Sequence, residues 1–253
     1  MPAKPAWPPR SAPRLFVSSA LSQGAEIALS GNQAHYLSRV MRAAAGDAVI
    51  LCDDVTGEWA SAVMAATKRE VVLRCERLLR SREAMPDFRL YAALLKKPAF
   101  DLVLEKATEI GVAEIRPMLT RRCVADRLNL DRATTIVTEA AEQCARTALP
   151  RIAEPVTLDA ILREWPEDRL LYFADEQGGE PAAACFAAGA REGPKPAALL
   201  IGPEGGFDDA ERAAIRAVPQ ARAITLGPRI LRGETAAIAA MAVWMAVAGD
   251  WSN

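Results

Sequence analysis

The spacing of hydrophobic positions changes partway along this 253-residue chain. From Arg14 to about Leu79, short β-prone runs dominate: AVILCD (48–53), GEWASAVMAAT (57–67) and EVVLRCERLL (70–79), set off by Asp53-Asp54, Gly57 and Lys68-Arg69. Runs of this length between turn residues predict a small antiparallel sheet or barrel. One helix precedes them, AHYLSRVMRA (34–43), on which Leu37, Val40 and Met41 share a face while Arg39 and Arg42 point elsewhere.

Beyond the polar stretch SREAMPD (81–87) the pattern alternates. RLYAALLK (89–96), EIRPML (114–119), RLLYFAD (169–175), PAALLIG (196–202) and RAITLG (222–227) read as strands. FDLVLEKATEIG (100–111), LDRATTIVTEAAEQCAR (130–146), DAERAAIRAV (209–218) and ETAAIAAMAVWMAVA (234–248) read as helices, the first ended by Gly111. Strands alternating with helices predict an α/β domain whose parallel sheet is covered on both faces. The expected organisation is a loose arm over 1–13, where five prolines oppose regular structure, a small β domain over 14–80 and an α/β domain over 84–253.

Composition narrows the chemistry. Apolar residues make up 51% and charged residues 25%, as in an ordinary globular protein, and the formal charge is −1. Residues 1–80 hold 10 Lys and Arg against 7 Asp and Glu, and the remainder 21 against 25. Nucleic-acid binding therefore needs a local patch, for which His35, Arg39 and Arg42 are candidates; a solvated helix face accounts for the same residues. Five cysteines, Cys52, Cys75, Cys123, Cys144 and Cys185, never fall in CxxC spacing, and His35 is the single histidine, so no metal site is argued. They read as small buried hydrophobes of a reduced compartment. The N-terminus lacks the apolar core of a signal peptide, and the apolar run 236–248 is too short for a bilayer, so the expected location is the cytoplasm and no membrane partner is expected.

The candidate chemistry lies in two stretches, PAALLIGPEGGF (196–207) and LGPRILRGETA (226–236). Each follows an apolar strand-type run and breaks into Gly, Pro and charged residues before a helical pattern begins. Two such bends at strand ends are where an open α/β sheet places a ligand crevice. A plain strand-to-helix connection, with Asp208 or Asp209 as helix cap, accounts for the first bend equally. Neither bend is a GxGxxG or GxxxxGK[ST] motif, so neither mechanism transfers. On the 130–146 helix, Glu139, Glu142, Gln143 and Arg146 share one face, either as a solvent face or as a polar wall for a planar substrate such as a nucleobase. Arg121 and Arg122 after a strand suit phosphate or are surface charge. The last helix is apolar all round and must be buried, in this chain or against a second copy.

Together with EKATEIGV (105–112), EAAEQCAR (139–146) and HYLSRVMRAAAGDAV (35–49), these stretches closely resemble the bacterial 16S ribosomal RNA uridine-N3 methyltransferases of the SPOUT superfamily. The resemblance covers essentially the whole chain after the arm. It implies a PUA-like β-barrel that helps hold RNA, followed by a SPOUT domain knotted as a trefoil, and a homodimer acting on 16S rRNA in the 30S subunit. It also implies an S-adenosylmethionine pocket at Ile201, Gly202, Pro203, Glu204, Gly205, Gly206, Leu226, Gly227, Ile230, Leu231 and Arg232. The expected roles are charge stabilisation for Arg232, base holding for Glu142, Gln143 and Arg146, and RNA contact for His35, Arg39, Arg42, Arg121 and Arg122. The chain departs from the family pattern at Gly233, where the usual residue is Thr. A SPOUT enzyme acting on another base or on transfer RNA, and a non-catalytic RNA-binding protein of the same shape, remain the alternatives.

Overall fold

The computed structural model describes residues 7–193 and 195–252, which divide into two compact units. The first runs to Ala84 and also takes in Ala141–Leu149, and the second comprises Met85–Ala140 and the chain from Pro150. Of the arm expected over 1–13, residues 1–6 lie outside the described residues and 7–13 form neither helix nor strand.

In the first unit, β1 (Arg14–Phe16), β2 (Glu26–Ser30), β3 (Ala48–Cys52), β4 (Gly57–Ala66) and β5 (Glu70–Ser81) form one sheet in the order β1-β3-β4-β5-β2. Only the β1–β3 pairing is parallel. Three register shifts along the β4–β5 ladder add local twist and curl the sheet around Leu29, Leu37, Val49, Leu51 and Leu73. Between β2 and β3, α1 (Gly31–His35) runs into a wider turn over Tyr36–Val40, closed by the Met41 N–H on the Tyr36 carbonyl. That extra residue per turn corrects the sequence expectation of a shared apolar face. Leu37 is buried, while Val40 and Met41 are 62% and 41% exposed.

The second unit contains β6 (Phe88–Ala93), α2 (Lys97–Ile110), β7 (Glu114–Leu119), α3 (Leu130–Cys144), β8 (Arg151–Ile152), β9 (Val156–Thr157), α4 (Leu158–Arg163), β10 (Leu170–Ala174), β11 (Glu180–Pro181), α5 (Ala182–Arg191), β12 (Ala197–Ile201), α6 (Asp209–Arg216), β13 (Ala221–Thr225) and α7 (Gly233–Val247), with the end of α3 counted in the first unit. Its sheet has the order β11-β13-β10-β12-β6-β7-β8, with β9 also on β7, and every pairing is parallel. Alternate residues serve opposite faces. Leu90, Tyr172 and Leu199 pack under α2, α5 and α7, while Tyr91, Leu171 and Leu200 pack against α4 and α6. Both faces of the central strands β6, β10 and β12 are thus largely dry, as near-continuous apolar strands require. Phe88 and Trp244 of α7 stack with ring centroids 3.8 Å apart. No described helix is long and apolar enough to cross a membrane.

Helix α2 starts three residues before its predicted position because Pro98 fits the first helical turn, and it ends on Gly111 at φ +104°. Cys52, Cys75 and Cys185 are buried, but Cys123 is half-buried and Cys144 exposed, correcting the reading of all five as core residues. Sequence patterning did not reveal α4 or α5. In α5 the run AAACFAAGAR looks only alanine-rich; its helix is held by Cys185, Phe186 and Gly189 against the sheet. Gly189 lies under the Tyr172 hydroxyl, and a Cβ built on it falls 2.0 Å from that oxygen. Burial pushes the Tyr172 hydroxyl pKa up to about 12.

Helix propensity alone favours Gly189→Ala by about 1 kcal/mol. The steric conflict with Tyr172 predicts the opposite sign, a net loss on the order of 1–3 kcal/mol in urea unfolding. Equal or greater stability of the variant would remove the close approach as the reason for glycine.

Candidate active site

The connections leaving the C-terminal ends of β10, β12 and β13 enclose a cavity of about 280 Å³. After β10 come Asp175 and Glu176; after β12 come Gly202, Pro203, Glu204, Gly206 and Phe207; after β13 come Leu226 to Leu231; and α7 adds Gly233 and Ala236. Of the residues expected to hold a cofactor, Ile201, Gly202, Pro203, Glu204, Gly206, Leu226, Gly227, Ile230 and Leu231 are on its wall. Gly205 and Arg232 are not. Gly205 turns its carbonyl to Arg122, whose Nη1 donates at 2.6 Å. Arg232 is the exposed residue immediately before α7.

The bends are shaped by specific contacts. Gly206 has φ +66°, and a Cβ there falls 2.6 Å from a Glu176 carboxylate oxygen. Asp208 caps α6: it accepts from the Glu211 N–H at 2.7 Å, and the Glu211 side chain accepts in return from the Asp208 N–H at 3.0 Å. The capping account of this bend is therefore true, and the cavity is present as well. Glu211 also accepts from the Arg121 N–H at 2.8 Å, and the Arg121 guanidinium reaches Asp208 at 2.9 Å. A Cβ on Gly233 falls 3.1 Å from Leu95 Cδ2, so any larger residue there requires Leu95 to give by a few tenths of an ångström.

Sequence reading missed the acidic side of the cavity. Asp175 is buried and accepts from Arg212 Nε at 3.0 Å, Arg216 Nη2 at 2.6 Å and the Gln177 N–H at 3.0 Å. Arg212, itself buried, also donates to the Phe207 carbonyl at 3.2 Å and to Glu176 at 3.4 Å. Burial pushes the Asp175 pKa up, but its hydrogen bonds from Gln177, Arg216 and Arg212 outweigh burial and hold it below the ordinary carboxylate value. Two adjacent acids directly after the RLLYFA strand were the available signal, since charge at the mouth of an apolar parallel strand has few structural reasons to be there.

The remaining candidates are in other places. Glu142, Gln143 and Arg146 belong to the Ala141–Leu149 segment of the first unit and do not line the cavity. Glu142 Oε1 accepts from the Phe16 N–H at 2.8 Å, and buried Arg146 donates to Glu83 at 3.1 Å. Gln143 is exposed. His35, Arg39 and Arg42 are exposed around the α1 turn, Arg42 in the left-handed region at φ +53°. Arg121 is 56% exposed despite its pairing with Asp208.

A parallel sheet with its central strands covered on both faces, with a crevice of backbone bends where its strands end and a curled β unit besides, defines a two-unit α/β protein with a candidate small-ligand site. Residues 82–245 match the model of the RNA methyltransferase domain, and residues 29–75 that of the RNA methyltransferase PUA domain. The chain belongs to this RNA methyltransferase family. The Rickettsia conorii protein named ribosomal RNA small subunit methyltransferase E is 29% identical over 90% of this chain and 93% of its own length. The Synechocystis protein of the same name is 30% identical over 90% of this chain and 76% of its own. A Legionella pneumophila structure, solved in complex with the bound cofactor SAM, superposes with TM-score 0.81 at 28% identity, covering 93% of this chain and 97% of that one.

Two predictions follow from the cavity's construction. Gly206→Ala meets both a left-handed backbone and the Glu176 carboxylate, and should lose about 1–2 kcal/mol or more in urea unfolding. Gly205→Ala, whose Cβ would have the Arg122 side chain as its nearest neighbour at 3.3 Å, should lose much less, and equal losses would refute the distinction. Because the Asp175 pKa is lowered on folding, its contribution is fully present above the unfolded value of 3.8 and disappears as pH falls through the lower folded value. Acid unfolding of Asp175→Asn should therefore be less steep than that of the parent in that window.

Proposed function

We propose that the chain transfers a methyl group from S-adenosylmethionine to uridine N3 of 16S rRNA in the small ribosomal subunit, working as a homodimer in the cytoplasm. The observation that carries this reading is the cavity formed by the Gly- and Pro-rich bends after β12 and β13. Its lining fits the cofactor's chemistry. The carboxylates of Glu176 and Glu204 suit a ligand carrying ammonium and sulfonium charge. Ile201, Leu226 and Leu231 offer an apolar surface to a planar adenine. Gly202 and Gly206 allow backbone amides and carbonyls to approach a ligand where side chains would block them.

Bound there, S-adenosylmethionine supplies an electrophilic methyl on its sulfonium. The acceptor nitrogen must lose its proton, to a carboxylate or to water, so that its lone pair forms the N–C bond as the C–S bond breaks. The chain's part is to hold both reactants in line, which accounts for several kcal/mol of the barrier. It must also stabilise the uracil anion, and Arg232, at the start of α7 beside the cavity residues Leu231 and Gly233, is assigned to that task. His35, Arg39, Arg42, Arg121 and Arg122 are assigned to the RNA backbone and Gln143 to a further RNA contact. Glu142 and Arg146 support the reading indirectly, by fastening Ala141–Leu149 to the first unit. The half-buried face of α7, which includes Ile238, Ala239 and Ala242, is the surface assigned to the second copy.

Calorimetry should find micromolar S-adenosylmethionine binding, and labelled cofactor with 30S subunits should mark one uridine at N3. No binding would leave an RNA-binding protein, and label on another nucleotide would change the substrate. Arg232→Ala should slow single-turnover methylation on the order of 100-fold with cofactor affinity retained. A full rate in that variant would take the role away from Arg232.

A further inference from the structure

A second cavity, of about 320 Å³, opens in the same unit between the start of α2 and the 125–133 segment. Its floor is apolar, from Leu95, Phe100 and Leu104, and Lys97 and Arg127 are on its rim. The two cavities are neighbours along the C-terminal edge of the sheet. Leu95, on the wall of this one, is the side chain nearest to where a Cβ would project from Gly233, on the wall of the other, and the Gly202 carbonyl is 3.5 Å from that point. Leu95 thus packs on Gly233 where the walls of the two cavities meet.

The rim charges are not consumed by the fold. The Arg127 side chain is 92% exposed, and among the described residues its ion-pair partner is Asp126 at 3.9 Å, a solvent-screened pairing of little strength. Lys97 is exposed in the first turn of α2, which carries no acidic residue. By contrast, Arg132 is held by Asp101 at 2.5 Å and contributes wall rather than free charge. An apolar slot with two free cations at its mouth matches an unpaired nucleotide, whose base is planar and apolar on its faces and whose phosphate is anionic.

We infer that this second cavity receives the acceptor nucleobase of the RNA, with Arg127 and Lys97 on its flanking phosphates. The inference rests on the methyltransferase reading, because it gives the acceptor a place next to the proposed methyl donor. It assigns a specific role to the packing of Leu95 against Gly233: a side chain at 233 would require Leu95 to give by a few tenths of an ångström, whereas glycine leaves Leu95 in place on the wall of the slot. Arg127 touches the RNA backbone in this arrangement and acts as a binding residue, taking no part in the proton transfer.

Two variants test it: Arg127→Ala at an exposed position, and Ala125→Trp, which fills the slot from its half-buried wall. Calorimetry with S-adenosylmethionine should give parental affinity for both. In methylation of 30S subunits, Arg127→Ala should raise KM roughly tenfold and reduce the slope of log affinity against log salt by about one. Ala125→Trp should lower kcat/KM at least roughly tenfold, the effect of losing one base contact. Parental kinetics and salt slope in both variants, with cofactor binding intact, would overturn the slot and leave the methyltransferase reading standing. Dissociation of the Ala125→Trp protein to monomers in sedimentation, with unchanged kinetics for Arg127→Ala, would assign the cavity to a second copy instead. A parent protein that neither binds cofactor nor methylates RNA would overturn both readings together.

Discussion

A parallel sheet covered by helices on both faces can meet a small molecule only at the ends of its strands. That constraint organises the second unit. Tyr172, Leu171, Leu199 and Leu200 are buried on one side or the other, so the central strands offer no surface on their faces. Everything chemical is displaced into the connections after β6, β10, β12 and β13, where the backbone leaves its ladder partners and its polar groups need others. The two cavities lie there for this reason, and Gly202, Gly206 and Gly233 mark the points at which chain, side chains and ligand space come closest.

Charge then holds these connections in place. The bend after β12 is tied to that after β10 by Arg212, and to the turn after β7 by Arg121 and Arg122. A buried carboxylate such as Asp175 is tolerable only because arginines and an amide satisfy it, and breaking one partner of such a set is far more damaging than never having built it. The network therefore gives the cavity a fixed outline without filling it with side chains. The first unit uses the same device at Glu58, which is buried and held by Arg14 at 2.5 Å and by Arg80.

Much of this was legible beforehand because the governing signals are local. The apolar runs at 196–202 and 222–227, the Gly111 stop and the helical period of 209–218 each depend on a few neighbouring residues, and each element formed close to its predicted place. Failures came where distant residues decide. The period of 34–43 looked helical throughout, yet a widened turn at Tyr36–Val40 exposes Val40 and Met41. The polar face of 130–146 looked like one surface, yet Glu142 and Arg146 meet Phe16 and Glu83 from far upstream. Asp175 and Glu176 show in sequence only as two adjacent acids after a strand, and their partners Arg212 and Arg216 lie more than thirty residues further on.

Taken alone, the sequence determined the class of fold, the alternation that makes the sheet parallel, and the two bends able to line a crevice, since periodicity and glycine chemistry act over a few residues. Tertiary structure alone decided which charges are paired and which are free, and so which side chains face a ligand. It also set Leu95 of one cavity's wall against Gly233 of the other's. Pairing and proximity depend on residues that meet only after the chain has folded, at separations no local pattern encodes.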